Sequence, residues 1–155
     1  MRVIVNAGQL CNRNPVTVGR ADELIRVAQL MREKHIGYLV VVEPNVADQS
    51  LRPVGVITDR DIVISVVARE ADPRALCAGD IMTRQLATVG AAEPVEKAVR
   101  EMRRVGVRRL PVIGQRGELV GVLSIDDVLE VLAGDLRDVA VSIRNERIIE
   151  GALRP

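Results

Sequence analysis

The stretch VGVITDRDI, residues 54–62, returns as VGVLSIDDV at residues 120–128. Each copy opens with a short apolar run built around a glycine, Gly55 or Gly121, and ends that run in a hydroxyl, Thr58 or Ser124. An acid follows three residues later, Asp61 or Asp127. The apolar run reads as a strand, and the polar residues after it as the start of a helix. A hydroxyl at such a junction is an N-cap. It also brings an OH and free backbone N–H groups to a helix N-terminus, which suits an anion. A carboxylate one turn further on can accept two hydrogen bonds from a vicinal diol such as that of ribose. For one such element capping explains the residues; the same arrangement twice points to a nucleotide site.

Working outward, residues 7–41 align with residues 78–112 at a constant offset of 71, without a gap, and eleven of the 35 positions are identical. The 54–62 and 120–128 blocks repeat at an offset of 66, which places a five-residue insertion in the polar loop 43–53 of the first copy. The chain is therefore a tandem duplication of a unit of about 60 residues, followed by a tail. Each unit predicts the order β-α-β-β-α. A short strand (15–18; 86–89) precedes a helix on which Leu24, Val27, Ala28 and Met31, or Val95, Ala98, Val99 and Met102, recur at helical spacing. A strand follows at 38–42 or 109–113, then a second strand at 54–57 or 119–123. A helix begins at Asp59 or Asp126 and is expected over 59–70 and 126–134. One such unit is marginal alone, so the two are expected to pack on each other about a pseudo-twofold axis. The resulting division is a first repeat at 1–70, a linker at 71–77, a second repeat at 78–135, and a C-terminal helix at 136–155.

Composition narrows the function classes. The 155 residues are 48% hydrophobic and 28% charged, and 22 basic against 21 acidic side chains leave a net charge of +1. A dedicated nucleic-acid or acidic-membrane binder needs a basic excess that this chain lacks. Tyr38 is the sole aromatic residue, so the core is aliphatic and base-stacking platforms are excluded. A single histidine, His35, rules out multi-histidine metal sites and fits a helix end. Cys11 and Cys77 form neither a CxxC motif nor a disulfide framework, which points to a reducing cytoplasm. The adjacent Asp126 and Asp127 point different ways and make a poor metal pair. No nucleophile–base pair, Walker loop or metal cluster is visible, which argues against an enzyme.

The duplicated β-α-β-β-α unit, with GVITDRDI and GVLSIDDV at equivalent points, resembles the CBS-domain pair, or Bateman module, over roughly residues 7–135. RVGVRRLPVI at 104–113 and GDIMTR at 79–84 are similar to that family's second repeat. The resemblance implies a two-repeat disc of α/β (α+β) type that regulates a partner and catalyses nothing. It implies clefts for adenosyl ligands: AMP, ADP, ATP, S-adenosylmethionine or NAD(H). Thr58 and Ser124 match the family's phosphate-contacting hydroxyls, and Asp61 and Asp127 its ribose-binding acids. Arg108 and Arg109 match positions of basic phosphate contacts. The first copy departs there, with Gly37 and Tyr38, which puts equal use of two sites in doubt and could instead line an adenine pocket. Cys11-Asn12 in place of Met82-Thr83 is a second departure.

In the tail, Leu136, Val139, Ala140 and Ile143 recur at helical spacing, and Ile148, Ile149 and Leu153 are read as extending the stripe. This amphipathic helix is expected to dock on its own disc or on a second subunit. The resemblance favours a homodimer, and beyond it an unidentified regulated protein, with no nucleic acid or membrane partner. Because the repeats consume nearly the whole chain, the expectation is a free-standing sensor. A homodimeric scaffold with non-functional nucleotide sites is the alternative.

Overall fold

The computed structural model describes residues 5–153, with side chains to residue 150. The first repeat contains α1 (Ala7–Leu10), β1 (Thr17–Gly19), α2 (Leu24–Lys34), β2 (Tyr38–Pro44), β3 (Leu51–Thr58) and α3 (Asp59–Ile62). The second contains α4 (Ala78–Ile81), β4 (Val89–Gly90), α5 (Val95–Val105), β5 (Arg109–Ile113), β6 (Leu119–Ser124) and α6 (Ile125–Leu153). The expected β-α-β-β-α order is thus present twice, each time behind a one-turn helix.

Each repeat forms its own three-stranded sheet, ordered β1-β2-β3 and β4-β5-β6. The first pair in each is parallel and the second antiparallel. Period-two alternation divides the residues between two faces. Leu39, Val41 and Ile57 pack beneath Leu24, Val27 and Met31 in one core. Leu110, Val112 and Leu123 pack with Ala98 and Met102 in the other. Val40 and Pro111, equivalent positions one residue out of phase, are fully buried yet belong to neither cluster. They face away from the helices, towards the junction where β3 meets β6. The aliphatic composition is therefore used on both faces of each central strand.

The repeats exchange their leading segments. Ala7 and Cys11 lie in the core of the second repeat, and Ala78 and Met82 in the core of the first. Gly8 N–H donates to Ala91 O at 2.9 Å, and its counterpart Gly79 N–H to Arg20 O at 2.8 Å. Asn12 then exchanges two backbone hydrogen bonds with Val122 (2.9 and 3.0 Å), and Thr83 exchanges two with Val56 (2.9 and 3.2 Å). This approach explains the glycines of the repeated GV motif. A Cβ on Gly121 would fall 2.4 Å from Asn12 O, and one on Gly55 3.0 Å from Thr83 O.

Three expectations are corrected. The helix expected over 59–70 is α-helical only to Ile62; Val63–Val67 is a π-helical segment. Ile62, Val63, Ile64, Val66 and Val67 are β-branched, stiff at χ1 and crowded in a tight α-helix. The insertion in the first copy lengthens the β2–β3 ladder out to Pro44 and Leu51, and its turn reaches across so that Asp48 pairs with Arg116 at 3.0 Å. The tail is not a separate element: α6 runs unbroken through Gly134, and residues 135–150 are exposed. A mid-helix Gly costs only about 1 kcal/mol, which the helix formers around it absorb. At about 100° per residue, Leu129, Leu132, Leu136, Val139 and Ile143 share a sector of about 80°. Ile148 and Ile149 fall more than about 100° off its centre, so the apolar stripe ends at Ile143. The first turns of the helix pack on the second repeat through Ile125 and Val128, whereas residues 135–150 do not dock on the disc.

Candidate functional site

Thr58 ends β3 directly opposite Tyr38 of β2, with Val56 opposite Val40. Alternation therefore places Thr58 and Tyr38 on the face turned towards the other repeat. The backbone enters α3 here, and Thr58 is its N-cap. Thr58 N–H and Oγ1–H both donate to Asp61 Oδ2, each at 2.7 Å, while Asp61 N–H returns a bond to Thr58 Oγ1 at 3.2 Å. Ser124 and Asp127 repeat the geometry at 2.8, 2.7 and 3.1 Å. The capping role is thus fully built in both copies. Both contacts fall on Oδ2; among the described residues, Oδ1 of each acid takes no protein hydrogen bond.

The two motifs open onto different surroundings. Thr58 and Asp61 line a cleft of about 1280 Å³ between the repeats. Gly37, Tyr38, Arg108 and Arg109 line the same cleft, whereas Ser124 and Asp127 do not. Six of the eight residues singled out from the sequence therefore meet in one place. The structure adds Thr83, Arg60 and Arg104 to its wall. Thr83 could be found only by knowing that its segment crosses to the other repeat. The signal for Arg104 is its position one turn of chain ahead of Arg108.

The electrostatics of this wall follow from local geometry. Tyr38 and Arg109 are equivalent positions of the duplication, and they meet across the axis with the guanidinium 5.8 Å from the ring centroid. Burial pushes the Tyr38 phenol well above its ordinary value, and Arg109 opposes this in part. A cation–π contact of this length holds Arg109 on the cleft wall. Arg108 donates to Asp126 at 3.1 Å, and both side chains are largely exposed. Arg104 makes a two-pronged pair with Glu101 at 2.6 and 2.8 Å, and that hydrogen bond lowers the Glu101 carboxyl below its usual range. At the first copy's counterpart of Arg108, Asp59 leans over Gly37; a Cβ there would lie 2.5 Å from Asp59 Oδ2. Asp59 is exposed and its carboxylate is free to swing away, so the contact does not demand glycine; Gly37 adds no group of its own to the wall. His35 closes α2 in a left-handed conformation (φ 54°), the place Gly106 takes after α5 (φ 74°). Beside the second motif lies Cys11, buried, its thiol pushed up by desolvation and slightly by Asp127. Among the described residues no group of three or more His, Cys, Asp or Glu side chains is placed to hold a metal ion.

The family model of the CBS domain matches residues 7–68 and again residues 78–134. The chain belongs to the CBS-domain family. A protein of Methanopyrus kandleri is 36% identical over 127 residues, covering 82% of this chain; the chain spans only 62% of that protein's length. Hypoxic response protein 1 of Mycobacterium tuberculosis is 36% identical over 127 residues, covering 82% of this chain and 80% of that protein. The crystal structure of Hypoxic Response Protein I with two coordinated zinc ions matches with a TM-score of 0.68 and 33% identity, over 81% of this chain and 97% of that one. The cytosolic domain of the Mg²⁺ channel MgtE, in complex with ATP, matches with a TM-score of 0.67 and 29% identity, over 81% of this chain and 48% of that one. The fold of this CBS-domain pair is therefore the mixed α/β two-repeat architecture that the duplication implied. Among the described residues no helix is long and apolar enough to cross a membrane.

Proposed function

We propose that this CBS-domain pair is a non-catalytic regulatory module that binds an adenosyl ligand in the cleft between its repeats. One observation carries the reading: a hydroxyl–carboxylate pair from one repeat and Arg108 and Arg109 from the other face a single cavity. In the reading, Asp61 accepts ribose hydroxyls, Thr58 and the two arginines take phosphate, and Tyr38 with Gly37 borders the base. Ser124 and Asp127 form the equivalent second motif, away from this cleft. The ATP complex of the MgtE cytosolic domain supports the ligand class. AMP, ADP, ATP, S-adenosylmethionine and NAD(H) are the candidates, and the output is a regulated protein in the cytoplasm. The units doing this are the repeats at 1–70 and 78–135, joined by 71–77.

A melting-temperature panel with those five ligands tests the reading. A ligand at about 100 times its Kd stabilises the fold by about 2.7 kcal/mol, several degrees for a chain of this size. No shift with any of them at millimolar concentration would refute it.

A second reading is favoured by the exposed stripe of α6, where Leu129, Leu132, Leu136, Val139 and Ile143 are 51–71% exposed. Such a surface suits a homodimer whose interface is the function and whose nucleotide motifs are only caps. Nucleotide binding separates the two readings.

A further inference from the structure

In α6, Leu129, Leu132, Leu136, Val139 and Ile143 follow one another at steps of three, four, three and four residues. That is the spacing of a coiled-coil seam, narrower than the stripe a helix turns to a globular core. Each of the five is more than half exposed, and residues 135–150 are exposed all round the helix. A helix left bare in water holds together poorly, because most helical stability comes from packing an apolar face. The seam therefore calls for a second helix.

Two further features of α6 say which helix, and in which direction. The next two places at the same spacing are Glu146 and Glu150. In a parallel pair each would face its own copy across the seam, where like charges repel. An antiparallel pair sends these ends apart. Beside the seam, Asp126, Glu130, Arg137 and Arg144 fall within about 40° of one another around the axis, at about 100° per residue. This row is acidic at its N-terminal end and basic at its C-terminal end, so an antiparallel copy sets acid against base.

We infer that α6 is one half of an antiparallel two-helix coiled coil whose other half is α6 of a second copy of this chain. The inference rests on the homodimer of the second reading above, gives it an interface and an orientation, and is independent of what the cleft binds. Leu129 layers on Val139 of the second copy and Leu132 on its Leu136. Arg137 then lies beside Glu130 of the second copy, and Arg144 beside its Asp126. Ala133 and Ala140, between the seam and the charged row, let the helices approach closely. On the opposite flank Asp135 meets its own copy near the midpoint, at the rim, where solvent screens the pair.

Sedimentation velocity on the full chain, from low to high micromolar concentration, is the first test. The expected result is a concentration-dependent dimer. Leu136→Asp makes it monomeric while leaving the melting temperature of the body unchanged. Arg137→Glu weakens the dimer roughly threefold to thirtyfold, and adding Glu130→Arg to the same chain restores most of the loss. Cross-linking reads the direction: in a Cys77→Ser background, oxidation joins Asp135→Cys to its copy and leaves Glu146→Cys unjoined. A monomer at high micromolar concentration overturns the inference and the homodimer reading together. A dimer that survives Leu136→Asp, or oxidation that joins Glu146→Cys in place of Asp135→Cys, overturns the inference and leaves the homodimer standing.

Discussion

Asp61 serves a cap in the structure and a ligand in the proposal, and its replacement separates the two roles. In the unliganded fold, Asp61 Oδ2 accepts two bonds from Thr58, and its own N–H is capped in return. Asp61→Ala removes the carboxylate end of this capping box. A lost cap costs about 1 kcal/mol, within a range of about 0.5–2. For a chain of this length that lowers the melting temperature by about 2–4 °C per kcal/mol. Asp127→Ala breaks a box of matching distances and is expected to cost the same. Binding divides the pair. Asp61 lines the large cleft and Asp127 does not. Loss of charge-assisted ribose bonds at Asp61 costs about 1.5–3 kcal/mol, or about tenfold to a hundredfold in Kd. Asp127→Ala leaves affinity in that cleft unaltered. Asp61→Asn keeps an acceptor for the Thr58 N–H, so it retains most of the stability while losing the charge-dependent part of binding. Circular-dichroism melts read the first effect and calorimetry the second. If Asp61→Ala melts early yet binds nucleotide as wild type does, Asp61 is a cap alone and the site assignment is wrong.

Gly121→Ala should be the more damaging of the two glycine changes in the repeated GV motif. Its Cβ meets backbone at 2.4 Å, so relief requires parting the Asn12–Val122 hydrogen bonds, at about 2–4 kcal/mol. Gly55→Ala meets the flexible Met82 Sδ at 2.7 Å and Thr83 O at 3.0 Å, and should cost less; the reverse order in thermal melts would contradict the exchange as described. Deleting residues 135–155 should leave the melting temperature of the body within about 1–2 °C, because residues 135–150 do not pack on it. The same deletion should convert a dimer to monomer in sedimentation velocity if a second copy covers the α6 stripe; a full-length chain that is monomeric at high micromolar concentration excludes that dimer. Under native conditions iodoacetamide should modify the partly exposed Cys77 well before Cys11, which is buried and carries a raised thiol pKa, with both reacting in urea. Equal native rates would show that the first-repeat leader detaches readily from the second core.

The order of elements and the hydroxyl–acid motif were legible because duplication prints each signal twice; Arg108, Arg109, Gly37 and Tyr38 were reached only through the family resemblance, and duplication did not tell that Ser124 and Asp127 stand outside the cleft. Thr58 and Ser124 fall at the same point of the same strand, so a local cap became a repeated motif. The exchange of leading segments was not legible. Asn12 and Thr83 stand at equivalent positions, and a one-turn helix followed by a single bridging residue has the same pattern whether it folds onto its own repeat or the other. Only the three-dimensional partners of Ala7 and Ala78 tell the two apart. The π-helical segment escaped because periodicity over Ile62–Val67 does not separate an α-turn from a wider one; the β-branched run was the one available hint. The helix expected over 126–134 continues past Gly134 because no proline follows until Pro155 and the residues around it favour helix.

The inequality of the two motifs originates on the pseudo-twofold axis. Residues 38 and 109 occupy equivalent positions and therefore face each other across it. With identical residues there, the two sides of the junction would be alike. A tyrosine opposite an arginine makes them different: the ring accepts the guanidinium, and Arg109 and the adjacent Arg108 are left on the wall that Thr58 and Asp61 share. Gly37, the counterpart of Arg108, offers no charge in return. Because the leading segments are crossed, Thr83 also arrives at this wall from the second repeat. A ligand bound here touches both repeats at once and reaches the arginine that clasps the first turn of α6. In the proposed reading its binding energy is spent on the junction between the repeats, which is where Arg108 meets the first turn of α6.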